Sequence, residues 1–378
     1  MFKRISAIAK KEIRQLKRDK RMLYVLFVFP LILLVIFGYA INFAVHHIQI
    51  AVYDRDKSEY SRDFVNRLTS SNYFDLAGYV DSENKIREIL DKGKVQAVIV
   101  IPEDLSRNIY FDKEAQVQIL VEGVNANTAA VVSNYMNIAS ATFSQKITQE
   151  ALAVKGRNLD IPISLEPRFW YNPDLNSTKF LIPGLISMIL IMTAVISIAL
   201  SIVREKEKGT IEQINVSPLS SIELLVGKTI PYTVIALFVA SIILLAGYIL
   251  FGMPIRGNIF LLFFATLIFL FATLNLGILV STISDSQQVA FQISTLISLL
   301  PSFILSGFIF PIESMPPAIQ ILTNITPVKF FIVVLRGILL KGVGLEAFWD
   351  QIIYLIIFAL FFLGLAVIIN KRTSSLQG

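Results

Sequence analysis

The chain has 378 residues, 54% of them hydrophobic and only 16% charged, with a formal net charge of +6. Its apolar residues gather in runs long enough to cross a hydrocarbon core, which takes roughly 20 helical residues, so a soluble globular protein is excluded. Cysteine is absent, which excludes disulfides, thiolate nucleophiles and Cys-ligated metals.

Residues 1–21 predict an amphipathic helix at the membrane surface. Phe2, Ile5, Ala9, Ile13 and Leu16 fall on one narrow face, while Lys3, Arg4, Lys10, Lys11, Arg14, Lys17 and Arg18 crowd the other. Two roles are open to it: a positive-inside anchor under anionic headgroups, and a docking element for a cytoplasmic partner. Residues 22–45 form the first uncharged stretch and read as an anchor, because no small-residue cleavage site follows and further spans do. His46 and His47 come next; they are the only histidines, they lack a third metal ligand, and they read as a polar pair just outside a span.

Residues 46–179 are the only sizeable polar region. Strand-like "IQIAVYD", "VQAVIVI" and "VQILVEG" alternate with helical stretches near 58–70 and 82–92, and a long helix is predicted over 125–155, so an α/β domain outside the membrane is expected. The region carries more acidic than basic residues, so the positive charge belongs to the membrane-embedded and cytoplasmic parts and no nucleic-acid surface is implied. It has no G-x-S-x-G or H-E-x-x-H pattern, and Asp54 and Asp56 read as turn residues.

Five more uncharged stretches predict transmembrane helices at 180–203, 229–253, 258–284, 286–310 and 351–369, each able to close its own backbone hydrogen bonds. Between the first two of these lies 204–228, which begins "REKEKGTIEQINVSPLS" and ends near "GKT". A phosphate-binding loop needs G-x-x-x-x-G-K-[ST], but Ile222 occupies the first glycine position before Gly227-Lys228-Thr229, so the chain has no nucleotide loop. Lys228 instead reads as an anchor that snorkels to the headgroups. Gly209 or Thr210 starts a short helix over 211–216, with Glu212 and Gln213 outward and Pro218 ending it. Such a helix suits a cytoplasmic motor; a solvated charge run that only fixes topology fits the same residues.

Around the spans 258–284 and 286–310, the polar residues Asn275, Ser281, Thr282, Gln287, Gln288 and Gln292 either line a path or join helices. Residues 311–350 follow, and within them a seventh apolar candidate at 318–340 holds Pro327, Lys329 and Arg336, which predicts a re-entrant element instead of a span. A tail at 370–378 carries Lys371 and Arg372. With six spans, residues 1–21, 204–228 and the tail hold nine, four and two Lys/Arg on one side, against four in the short loops opposite, which places both termini in the cytoplasm.

"REKEKGTIEQINVSPL" followed by "ELLVGKTIPY", together with "LSGFIFPIESMP" at 305–316, "KEIRQLKRD" at 11–19 and "FGYAIN" at 37–42, resembles the membrane subunit of ABC-2 type exporters across nearly the whole chain. The large domain between the first two spans is similar to that of the multidrug-export type. The resemblance implies a fold of six transmembrane helices with an inserted α/β extracytoplasmic domain, in a bacterial inner membrane. It implies a coupling helix within 204–217, with Arg204, Glu205, Glu207, Gly209, Thr210, Glu212 and Gln213 facing a separate ATPase. Lys11, Glu12, Arg14 and Arg18 would lie on a connecting helix, and Asn275, Ser281, Gln288 and Gln292 are candidates for the pathway. Residues 311–340 would form an outer lid including Pro311, Glu313, Pro316 and Arg336. ATP and Mg would sit on the ATPase and none in this chain. A homodimer or a heterodimer with a paralogous permease is expected in contact with membrane lipids, and a periplasmic adaptor is a further partner that the family permits.

The resemblance therefore implies a permease subunit, not itself an enzyme, that exports an amphipathic, drug-like or lipid-like substrate. An ion-coupled secondary carrier is the alternative; it needs ionisable groups at membrane depth, and none of the six spans contains one. A membrane-anchored sensor or structural protein is a third class, and it leaves the elaborate 204–228 loop without a purpose.

Overall fold

A computed structural model describes residues 2–40, 48–70, 73–111, 113–124, 126–154, 170–172, 177–210 and 221–376. The chain divides into two compact units, one of Met1–Asn42 with Phe169–Gly378 and one of Phe43–Arg168.

In the Phe43–Arg168 unit the strands are β1 (Ile48–Asp54), β2 (Phe74–Tyr79), β3 (Ala97–Ile101) and β4 (Gln118–Val121), ordered β2-β1-β3-β4. β1 runs parallel to β2 and β3, and β3 runs antiparallel to β4. Helices α4 (Glu59–Thr69) and α5 (Glu83–Asp91) make the crossovers that parallel strands require; α6 (Leu105–Tyr110) precedes β4, and α7 (Ala126–Val154) follows it. Alternation sends Ile50, Val52, Ile99 and Ile101 to one face, under Phe64, Leu68 and Met136, while Ala51 and Val98 meet Ile86 on the other. Asp54 does hold a turn: its carboxylate accepts from the backbone N–H of Asp56 and Lys57 and from the Ser61 hydroxyl. The expected strands are present. β2 escapes a sequence reading because "FDLAGY" is interrupted by Gly78, whose φ of 146° sits where the β1–β2 register shifts.

The other unit is a helical bundle. α1 spans Phe2–Arg18, α2 Lys20–Leu23, α3 Phe29–Ala40, α8 Ser177–Glu207, α9 Ser221–Phe251, α10 Ile259–Thr282, α11 Gln287–Ile304, α12 Pro317–Leu322, α13 Pro327–Arg336 and α14 Trp349–Leu376. α8 is the central helix, packed by α3, α9, α10, α11 and α13, and its apolar stretch is almost wholly buried. Close approach is built into the neighbours. A Cβ at Gly277 of α10 would lie 2.3 Å from Ile198 Cγ2 and 2.6 Å from the Val195 carbonyl oxygen of α8. On α11 the buried face reads Ser294, Ser298 and Ser302, small residues at helical spacing turned to the core.

Among the described residues four helices are long and apolar enough to cross a membrane: Thr178–Glu207, Val226–Phe251, Ile259–Thr282 and Trp349–Ile369. The expected spans at 22–45 and 286–310 differ from these. The first is helical from Lys20 through Ala40, with a π-helical turn at Tyr24–Val28 before α3; its described apolar part is Tyr24–Ala40, and residues 41–45 of the expected span lie outside the described residues. The second stops at Ile304, where Pro301 interrupts the last turn and Gly307 takes a left-handed φ of 74°. At the expected re-entrant element, Pro317–Ile325 and Pro327–Lys341 meet at 89°, with Pro327 starting the second arm, the geometry of a broken span or of a re-entrant loop.

Candidate functional site

The run Arg204-Glu205-Lys206-Glu207 is the last turn of α8, not a loop, and α8 ends only where Gly209 takes a φ of 66°. Successive helical residues point about 100° apart, so four in a row face nearly every direction around the axis. Each of these four side chains holds a different part of the bundle.

Arg204 pairs with Asp19, at the junction of α1 and α2, whose other carboxylate oxygen accepts from the Met22 N–H at 3.0 Å. Glu205 is buried and pairs with Lys228 of α9 and Lys11 of α1. The Lys206 ammonium donates to the carbonyls of Ser281, Thr282 and Ser284, and so places a cation on the C-terminus of α10. The Glu207 carboxylate accepts from the backbone N–H of Gln287 at 2.6 Å and from its side-chain amide, an anion on the N-terminus of α11.

A closed ion cluster sits at the centre. Glu12, Glu205 and Lys228 are all at most 3% exposed. Lys228 Nζ lies 3.4 Å from Glu12 Oε1, Lys11 Nζ lies 3.6 Å from the same oxygen, and the Ser201 hydroxyl donates to Glu12 Oε2 at 3.0 Å. Two carboxylates balance two ammonium groups, the half-exposed Lys11 reaching in from the surface, and this pairing lets the three buried charges persist away from water. α1 is held against α9 beside this cluster: a Cβ at Gly227 would come within 2.9 Å of Ile8, and Arg4 lies 3.6 Å from Glu223.

Several sequence expectations change here. Lys228 does not snorkel; the two carboxylates facing it hold it inside. Glu205 does not face outward, because its position on the last turn of α8 points it at that lysine. The packed face of α1 is rotated from the apolar stripe: Glu12 and Leu16 are buried while Ile13 is 41% exposed, since the ion pairs bring the glutamate inward. Arg14 and Arg18 remain exposed, and Thr210 donates to the Glu205 carbonyl at 3.2 Å. Glu212 and Gln213, with the helix expected over 211–216, lie outside the described residues, as do His46 and His47. Asp19 and Ser201 were not singled out by the sequence, where nothing marks a lone Asp or Ser as the partner of a distant charge.

The pathway candidates separate. Ser281 is buried, and its hydroxyl donates to the Ile278 carbonyl at 2.6 Å. Asn275 is buried and joins α10 to α14 through a 3.1 Å bond from Nδ2 to the Ala359 carbonyl. Gln288 and Gln292 are exposed on α11. Far along the chain from these, Arg336 of α13 donates to the carbonyls of Phe180 and Gly307 and lies 3.7 Å over the Phe180 ring, tying the bent element to the start of α8. Pro316 immediately precedes α12, and Pro311 and Glu313 flank and enter a short exposed 3₁₀ turn before it. Among the described residues no group of three His, Cys, Asp or Glu could hold a metal ion.

Residues 20–368 match the family model described as ABC-2 family transporter protein. The chain is 32% identical over 372 residues to the "Probable multidrug ABC transporter permease YbhS" of Escherichia coli (strain K12), covering 98% of this chain and 97% of that one. It is 31% identical to the "Probable multidrug ABC transporter permease YbhR" of the same organism, over 93% of this chain and 94% of that one. A more distant similarity, 23% identity over 98% of this chain, reaches the "ABC transporter G family member 20" of Dictyostelium discoideum, of which it covers 51%.

Proposed function

Because the chain belongs to the ABC-2 family of transporter proteins, a multi-pass membrane subunit of an ABC transporter, we propose that it is the permease of an exporter for amphipathic or drug-like compounds, driven by a separate ATPase. The observation that carries the proposal is the hub on the last turn of α8. A push delivered to the segment after Glu207 acts at once on α1, α9, α10 and α11, because each is tied to one of four consecutive side chains. Rigid elements with discrete contacts transmit displacement in this way.

In this reading the N-terminus and residues 204–228 lie in the cytoplasm, as the basic residues favour. The outward charges of α1, Arg14 and Arg18, and the segment with Glu212 and Gln213 form the surface offered to the ATPase, which supplies ATP and Mg; this chain hydrolyses nothing. Gln288 and Gln292, polar groups on an outward face of an apolar helix, suit a contact with a second permease copy or a paralogue and the path between them better than a contact with lipid tails. The names of the Escherichia coli relatives support a drug-like cargo. A Gram-negative host would allow a periplasmic adaptor to join the complex.

The test is co-purification of an ATP-binding-cassette ATPase with this chain from its host, followed by hydrolysis measured with and without amphipathic drugs in lipid nanodiscs. Arg14→Glu with Arg18→Glu should lower recovery of the ATPase while the permease remains monodisperse. Full recovery of the ATPase with this double variant would refute the docking role of α1.

A further inference from the structure

The ion cluster, the hub and the Arg336 clamp all belong to the reading above. The edges of the sheet in the Phe43–Arg168 unit do not. With the order β2-β1-β3-β4, β2 and β4 are the edge strands, and an edge presents a row of backbone groups ready to pair with another chain. β2 is blunted: it carries Asp75, and its register with β1 slips beside Gly78. β4 is not. Its Gln118-Ile119-Leu120-Val121 has no charge and no proline, and its register with β3 is unbroken.

The N–H of Glu122 donates to the Gln96 carbonyl at 2.9 Å, toward β3. Backbone groups alternate sides along a strand, so Gln118 and Leu120 face β3 as well, while Ile119 and Val121 turn their N–H and C=O outward. Among the described residues no other main-chain group meets these outward ones. Side chains alternate too. Gln118 and Leu120 lie on the α5 face, where with Val100 they border a groove of about 510 Å³ that α5 leaves open, and Ile119 lies on the α7 face.

The strand is complementary to itself. Of the antiparallel registers open to two β4 strands, the one with its two-fold axis at Leu120 pairs Ile119 with Val121 of the second copy and Val121 with Ile119 of the second copy, which uses both outward residues. Leu120 then stands opposite Leu120 of the second copy beside the groove, and Gln118 stands opposite Glu122 of the second copy, a carboxylate that can accept from its amide. Moving the axis to Val121 sets Leu120 against Glu122, and moving it to Ile119 sets Leu120 against Gln118.

We propose that two copies of this chain join their Phe43–Arg168 units edge to edge, β4 beside β4, in one continuous sheet with the two-fold axis at Leu120. The second copy is the one that the permease reading calls for, and the pairing rests on it. A membrane that holds both copies raises their effective concentration, which offsets the shortness of the strand.

The test uses the full chain, purified alone in nanodiscs wide enough for two copies; it has no cysteine of its own. On the axis Leu120 meets its counterpart as a pair without mutual hydrogen bonds, with Cα atoms about 4.5 Å apart, within the roughly 4.4–6.8 Å range of a disulfide. Leu120→Cys should therefore form a covalent dimer on mild oxidation, several-fold faster than Gln118→Cys or, on the blunted edge, Leu76→Cys. Adding Gln118→Glu sets two carboxylates opposite each other and should slow the Leu120→Cys cross-link several-fold; adding Glu122→Lys as well should restore it. Cross-linking of Leu120→Cys no faster than that of Leu76→Cys, or a rate indifferent to these charges, overturns the proposal. Mass measurement of the unoxidised protein separates the two readings. Dimers without the Leu120 cross-link leave the permease reading standing and remove the edge pairing, whereas monomers remove the second copy and the pairing with it.

Discussion

Lys228 Nζ lies 3.4 Å from Glu12 Oε1, so a lysine on a membrane-spanning helix and a glutamate on the N-terminal amphipathic helix share one buried site. Removing one partner of a buried ion pair leaves the other charge uncompensated, at a cost of about 3–5 kcal/mol. Lys228→Met should therefore lower the thermal stability of the detergent-solubilised protein by many degrees, and adding Glu205→Gln should recover much of the loss. Thermal unfolding followed by size exclusion measures both. If the double variant melts no higher than the single one, the cluster is not a closed electrostatic unit.

Gly227 sets how closely α1 approaches α9. A Cβ there meets Ile8 Cβ at 2.9 Å and Cγ2 at 3.0 Å, and a clash with the first carbon of a side chain is not relieved by rotating that side chain. Gly227→Val should release α1, whose Lys and Arg residues then become trypsin sites, with cleavage several-fold faster than in the unaltered protein. Unchanged digestion of the N-terminal segment would show that the helix docks without this contact.

The proposed orientation rests on the distribution of basic residues and is open to direct labelling in a chain without cysteine. Single cysteines at Glu59 and Ser314 should react with an impermeant reagent in intact cells, and those at Ser220 and Ser375 only after lysis. Reaction at Ser375 from outside rules out the six-span topology.

In the Phe43–Arg168 unit, Asp63 joins α4 to α7. Lys146 donates to it at 2.9 Å and Arg67 at 3.1 Å, and these bonds, Lys146 first, hold its carboxyl below the ordinary carboxylate range. A depressed pKa contributes stability above the unfolded value of about 3.9 and loses it as pH falls through the lower folded value. Amide exchange of α4 and α7, corrected for intrinsic rates, should thus be faster in Asp63→Asn than in the unaltered chain at about pH 6, with the difference shrinking as pH falls below the ordinary carboxylate range. A difference that does not shrink means the carboxylate charge is not what ties the helices.

Gln288 and Gln292 are exposed on α11. Replacing both with leucine should leave insertion and ATPase binding unchanged while reducing drug export or altering which drugs stimulate hydrolysis. Export indistinguishable from the unaltered chain would remove these residues from the path.

What the sequence by itself determined is local. Runs of uncharged residues require helices in a bilayer, short runs rich in Val and Ile mark β1 and β3, and the missing glycine at Ile222 rules out a phosphate loop; each follows from neighbours in the chain. The apolar stripe of α1 was likewise legible, but not which way it turns. That depends on Glu12 finding Lys228, more than two hundred residues away, and Glu205 and Lys11 beside it. The same distance hid the meaning of Arg204-Glu205-Lys206-Glu207: as a string it is a charged, solvated run, and only tertiary packing brings Asp19, Lys228, the end of α10 and the start of α11 around one helical turn. A charge in sequence is a property of one residue, whereas its burial depends on what the rest of the chain brings within about 4 Å to compensate it.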